Sequence, residues 1–173
     1  MSRLQAAVLF VLALVAVPAW AAETKVAVLD FDLIDTSLEG EMNGSNPAEA
    51  ARLSMLAPRL RSAIAKEPGF ASAGPLAATV RELPLDNCAK CVADLGREIG
   101  VDIVIIGTVQ KVSNLILNIN AYGHDVRTGK IVAAGSADIR GNNDDMWIRG
   151  IEALWRNTLK KQFQAIADHQ TTE

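Results

Sequence analysis

Only two cysteines occur in 173 residues, too few for the disulfide lattice of a small secreted scaffold or for a four-thiolate zinc site. The two histidines, His124 and His169, have no ligand-spaced neighbours, so neither carries the pattern of a metal site. Aromatic residues make up 5% of the chain, which leaves the core to aliphatic side chains. No basic block is present. Lys and Arg number 17 against 20 Asp and Glu, a formal charge of −3, so the chain lacks the electrostatic footprint for nucleic acid or for an anionic membrane surface. Neither a G-x-S-x-G elbow nor a phosphate loop occurs, and no cofactor is expected.

Long apolar runs are also missing. The longest, Ala6 to Val17, follows Arg3 and precedes Pro18 and Ala19-Trp20-Ala21. It is shorter than the ~18 residues of a membrane span, and with its positive start and small-residue end it reads as a secretory signal peptide over residues 1–21, cleaved after Ala21. An uncleaved amino-terminal anchor is the competing reading. The residue after the expected cut is Ala22, so no thiol stands there for lipid attachment. Cleavage removes Arg3 and leaves residues 22–173 one charge more acidic, a length expected to form a single periplasmic domain with no membrane span.

The remaining residues sort into strands and helices by period. Lys25–Phe31 (KVAVLDF) is apolar on both faces and reads as an interior strand ending in the acids Asp30, Asp32 and Asp35. From Leu33 to Asn46 the composition turns to Gly, Ser, Thr and Asn, the mark of a loop of about a dozen residues. Asn46-Pro47 opens a helix with Leu53, Leu56, Leu60 and Ile64 on one face, and Pro58 predicts a kink or two abutting helices. Phe70–Ala73 can form a short strand and Pro75–Leu83 a turn of helix; Ala89–Ile99 is a second helix capped by Gly100.

Gly100 to Gly135 is the scaffold. Val101–Val109 (VDIVIIGTV) is apolar on both faces and rich in β-branched residues, the pattern of a central strand. Leu115, Leu117, Ile119 and Ala121 alternate with Ile116, Asn118, Asn120 and Tyr122; Asp125–Gly129 turns the chain; Lys130–Ile139 returns. Three strands without intervening helices make an antiparallel meander. A final helix is expected over Asp144–Ala167, with Ile148, Ile151, Leu154, Trp155, Leu159, Phe163 and Ile166 as its apolar stripe, and a frayed tail from Asp168. The expected fold is α/β (α+β): a mixed sheet of about five strands with helices packed against it.

The segments VAVLDFD, DLGREIGVDIVIIGTVQKVSNLILNINAYGHDVRTGKIV and DIRGNNDDMWIRGIEAL resemble a family of exported proteobacterial domains of unknown function, over nearly all of residues 24–160. The order of strand, helix, glycine-preceded strand and D-x-x-T-G hairpin is similar, more distantly, to the TolB amino-terminal domain and to LpoB-like and CsgG-like envelope proteins. The resemblance implies a periplasmic accessory or protein-binding module and transfers no catalytic residue.

Four residue groups carry candidate chemistry. Cys88 and Cys91, spaced C-x-x-C, are expected as a disulfide closing a very small loop. A redox role would need a strand before the motif, where Leu83–Asn87 carries Pro84, and zinc would need a second ligand pair. Asp30-Phe31-Asp32 at a strand end is similar to the motif of haloacid-dehalogenase-like phosphatases, with Ile105–Thr108 and Asp144-Asp145 as distal parts, but Ile34 and the meander depart from that pattern. Asp30, Asp32, Asp35, Glu39 and Glu41 form an acidic loop whose spacing is not that of an EF-hand. Asp138, Arg140, Asn142, Asn143, Asp145, Trp147 and Arg149 form the densest polar and aromatic cluster, readable as a recognition surface or as a well-capped turn. The function expected is a non-enzymatic accessory or protein-binding domain whose partner is another periplasmic or envelope protein. A metal-dependent phosphatase using Asp30 and Asp32 and a small-ligand binder stand as the alternatives.

Overall fold

In the computed structural model, which describes residues 23–74 and 88–170, the strands form one mixed sheet with helices packed against it. β1 (Thr24–Val28) lies between β3 (Phe70–Ser72) and β4 (Ile103–Ser113), parallel to both. β5 (Ile116–Asp125) and β6 (Ile131–Ile139) follow β4 as antiparallel neighbours, the expected meander. The signal segment and the expected turn at Pro75–Leu83 lie outside the described residues.

The region read as a loop, Leu33–Asn46, is instead ordered. β2 (Asp32–Asp35) pairs parallel with β4, on the same edge as β1, and α1 (Leu38–Asn43) follows it. Val28 stands opposite Ile105 and Asp32 opposite Thr108, so four steps on one side answer three on the other, a bulge at Leu29–Phe31. Ser37 starts α1: its hydroxyl accepts from the Gly40 amide at 3.1 Å and donates to Asp35 at 2.6 Å. Serine, asparagine and glycine cap helices as readily as they fill loops, which is why composition pointed the wrong way here. The bulge also ends the first strand earlier than expected and lays the Phe31 ring over Gly107, where any Cβ would collide with it.

α2 (Pro47–Ile64) opens on Asn46, whose side chain accepts from the Ala48 amide at 2.9 Å, and runs unbroken through Pro58 rather than as two abutting helices. Pro58 is exposed, so the Ser54 carbonyl it deprives of a donor sits on the water side. α3 (Ala89–Ile99) ends at Gly100, whose φ of 71° is the left-handed cap that favours glycine. The last helix is α4 (Asp144–Leu154), a π-turn (Trp155–Leu159) and α5 (Lys160–Gln170). The π-turn was not expected; Trp155, Leu159 and Phe163 recur every four residues, a spacing that keeps them on one face through either kind of turn.

Two cores flank the sheet. On one face α2 and the α4–α5 helix cover Val28, Ile105, Val109, Leu117 and Ile119 with Leu56, Leu60, Ile151 and Phe163. On the other, Val92 and Leu95 of α3 meet Ala27, Leu29, Val104 and Val126. No helix among the described residues is long and apolar enough to cross a membrane.

Candidate functional site

Inward-facing positions of β4 read Ile103, Ile105, Gly107, Val109 and then Lys111, which is 1% exposed. An ammonium in that position costs several kcal/mol, of order, unless carboxylates meet it. Three do: Lys111 Nζ donates to Glu49 of α2 at 2.7 Å, to Asp35 of β2 at 3.1 Å and to Glu39 of α1 at 3.3 Å. Burial alone would lower its pKa; the three carboxylates outweigh that and hold it well above the ordinary lysine value. Asp35 answers in kind. Burial raises its pKa, but hydrogen bonds from Ser37 and Lys111 leave the carboxyl below its usual range.

The ionic clasp extends into the β6–α4 turn. Asn142 donates to Glu49 at 2.5 Å and to Asn114 of the β4–β5 turn at 2.9 Å, while its carbonyl accepts from Trp147 Nε1 at 3.0 Å and from Arg52 Nη1 at 3.1 Å. Asn114 in turn donates to Glu39 at 2.5 Å, and Arg52 pairs with Asp144 at 2.7 Å. Four segments distant in sequence are thus tied together at one end of the sheet: β2–α1, the start of α2, the β4–β5 tip and the β6–α4 turn. A lysine pinned as an ammonium by three carboxylates is neither a nucleophile nor a base, so the clasp holds geometry rather than performing chemistry.

The expected recognition residues divide among three places. Asn142 and the fully buried Trp147 belong to the clasp. Asn143 caps α4, accepting from the Met146 amide at 3.0 Å; Asp145 and Arg149 pair with each other at 3.2 Å on the exposed side of that helix, and Arg140 is exposed. Asp138 lies on the far face of the sheet, accepting from Asn118 at 2.7 Å. Of the acidic trio, Asp35 enters the clasp and Asp30 and Asp32 remain exposed. Among the described residues no group of three His, Cys, Asp or Glu side chains is placed to hold a metal. The Cys88 and Cys91 sulfurs lie at bonding distance, and Cys88 Sγ accepts from the Cys91 amide at the start of α3.

Lys111 and Glu49 were missed, yet each left a signal. Lys111 continues the inward alternation of β4, and Glu49 stands on the same helical stripe as Leu53, Leu56 and Leu60. Opposite charges on two stripes that must both be buried imply a pair.

The outer rim of the clasp is apolar. Six of the eight large apolar side chains exposed among the described residues, Ile34, Leu38, Met42, Val112, Leu115 and Ile116, lie on β2–α1 and the β4–β5 hairpin. Leu38, Met42 and Leu115 expose 69%, 74% and 72% of their surface.

Such a molecule is a small mixed-sheet domain with an internal ionic clasp and an apolar rim at one end. The chain belongs to the family described as protein of unknown function (DUF2380), which matches residues 24–159. Solved structures similar to it include the LpoB C-terminal domain from Salmonella enterica, 17% identical over 71% of this chain and 87% of that one, with a TM-score of 0.46. Lipoprotein GNA1162 from Neisseria meningitidis is 22% identical over 75% of this chain and 91% of its own, TM-score 0.43. TolB from Acinetobacter baumannii is 13% identical over 78% of this chain and 29% of its own, TM-score 0.42. No curated protein matches the sequence. No residue role is carried over from these proteins.

Proposed function

We propose that the chain is a non-enzymatic protein-binding domain of the bacterial envelope, exported by residues 1–21, with residues 22–173 as its single domain. Its binding end is the rim around the clasp. The observation that carries this reading is the convergence of β2–α1, the β4–β5 tip and the β6–α4 turn on Lys111, with most of the exposed large apolar side chains gathered on the first two. The clasp fixes the backbone beneath the rim, so a partner meets a preformed surface and loses less ordering entropy on binding. Arg140 is exposed on the same turn as Asn142 and supplies positive charge at this end of the sheet. The partner expected is a protein that offers an apolar segment flanked by acids.

A photo-crosslinking residue placed at Met42 or at Leu115 of the full chain in living cells should yield the same adduct to one heterologous protein. The adduct should be absent from the equivalent Lys90 substitution on α3 and lost when Leu38→Asp and Ile116→Asp are combined. Equal labelling from Lys90, or an adduct only to a second copy of this chain, would overturn the assignment. Trp147→Ala is a poor probe of the surface because that ring is buried; Arg140→Ala is the informative one.

A further inference from the structure

Away from the clasp, α2 and the α4–α5 helix leave a groove of about 280 Å3 between them, close to the lower limit of ~300 Å3 for small-molecule sites. Its open apolar surface comes from Ala63 and the edge of Trp155, over the buried Leu60 and Ile151, and its rim carries Arg59, Arg156 and Lys160 against the single acid Glu152. In a chain whose net charge is negative this is a local inversion of sign. Two of the cations close the ends: Arg59 pairs with Glu152 at 3.8 Å and Lys160 with Glu67 at 2.7 Å. On the far side of the groove, Glu152 and Lys160 stand about 12 Å apart along the α4–α5 helix, at ~1.5 Å per residue. Arg156 is exposed between those ends and makes no ion pair among the described residues.

The π-turn falls at this groove and delivers both Trp155 and Arg156 to it. Such turns give up regular α-helical hydrogen bonding, and they concentrate at functional sites. Trp155 is buried against the edge of Phe163 and keeps 8% of its surface open.

We propose that the groove binds a small amphiphilic carboxylate, an alkyl or aryl acid of medium length lying on Trp155 and Ala63 with its anion on the Arg156 guanidinium. An apolar floor takes the chain, and the guanidinium fork suits the carboxylate. The ion pairs at the two ends limit the length and select a free acid over the acyl chain of a membrane lipid. The inference goes beyond the partner-binding reading and is independent of it: the groove lies on the carboxy-terminal half of α2, while Glu49 of the clasp lies in its first turn.

Decanoate, decanol and vesicles of phosphatidylcholine with phosphatidylglycerol provide the test, read by Trp fluorescence and by thermal shift of the full chain. Decanoate should saturate, change the Trp signal and raise Tm; decanol should bind at least about tenfold more weakly. Arg156→Glu, an exposed change that leaves the core intact, should weaken decanoate binding by about tenfold or more. In Trp155→Phe the fluorescence response should vanish while the thermal shift persists. Ala63→Leu, which fills the groove, should abolish binding. No saturable response to decanoate, equal affinity for decanol, unchanged affinity in Arg156→Glu, or a response to vesicles alone would each overturn the proposal.

Discussion

β4 and β5 each bury one polar side chain, at opposite ends of the same ladder. At the hairpin end Lys111 is met by three carboxylates from three other elements. At the far end His124, opposite Val104, is 5% exposed, and its Nδ1 has no hydrogen-bond partner among the described residues. The two sites show two solutions to one problem. Lys111 cannot shed its charge cheaply, so the fold brings anions to it and in doing so fixes four segments. His124 can shed its proton, so the fold buries it neutral beside the α3 core and builds little around it. One end of the domain is held by charge and by long-range partners, the other by aliphatic packing.

The clasp should break hardest. Lys111→Met leaves Glu49, 1% exposed, without its cation and should cost about 3–5 kcal/mol in urea unfolding. Glu49 already holds one oxygen, Oε2, without a partner among the described residues, so it has no second donor to fall back on beyond Asn142. Lys111→Met combined with Glu49→Leu should recover most of that loss, because an apolar pair of similar volume replaces both charges. A double variant no more stable than Lys111→Met would show that the pair does not act as a unit, and the contrast with His124 would fall.

How far each end was legible in the sequence follows from the same contrast. The apolar end announced itself: Val101–Val109, the Ala89–Ile99 helix and its Gly100 cap depend on local period and on one residue with positive φ, and all are present, the strand beginning two residues later at Ile103 and running on to Ser113. The meander was equally readable, because strand alternation and the Asp125–Gly129 turn are local signals. The clasp was not. Its members are single polar residues spread from Asp35 to Asp144, each bland in its own window, and only the tertiary pairing of β2 with β4 gives them a common position. The cluster read at Asp138–Arg149 was close to it, but sequence could not say that Asn142 and Trp147 turn inward while Asp145 and Arg149 turn out. β2 itself has only two apolar residues, too few for a period to be seen, and its strand character comes from the β4 edge it joins.

At the apolar end the largest single change should come from the expected disulfide. Cys88 and Cys91 are three residues apart, so the loop they close is among the smallest, and chain-entropy arithmetic limits its contribution to about 2 kcal/mol. Cys88→Ser with Cys91→Ser should therefore lower stability by no more than that. The loss should appear first as faster amide exchange in the opening turn of α3, with β4 and β5 unaffected. Mass spectrometry of the exported protein should find the two residues joined; free thiols would contradict the pairing.

The smallest expected effect lies at His124 and is a matter of sign. Burial pushes its pKa below the ordinary 6.5, with a hydrogen bond to the Gly129 backbone opposing part of that shift. Above about pH 6.5 both folded and unfolded chains carry the neutral ring, and the residue contributes no pH dependence. As pH falls below that value the unfolded chain takes up a proton the folded one resists, so stability declines until the folded pKa is passed. His124→Gln does not titrate and should remove this limb alone. The acid limb below the ordinary aspartate value of 3.8 should persist, because there Asp35 loses its bonds to Ser37 and Lys111 and Asp94 of α3 loses its bonds to Lys90 and Arg97, both carboxyls having depressed folded pKa values. Urea midpoints measured across the two windows separate them: loss of the upper limb with retention of the lower assigns the upper one to His124. A His124→Gln profile that still falls between neutrality and the carboxylate range would mean that the histidine end, too, is held by charge.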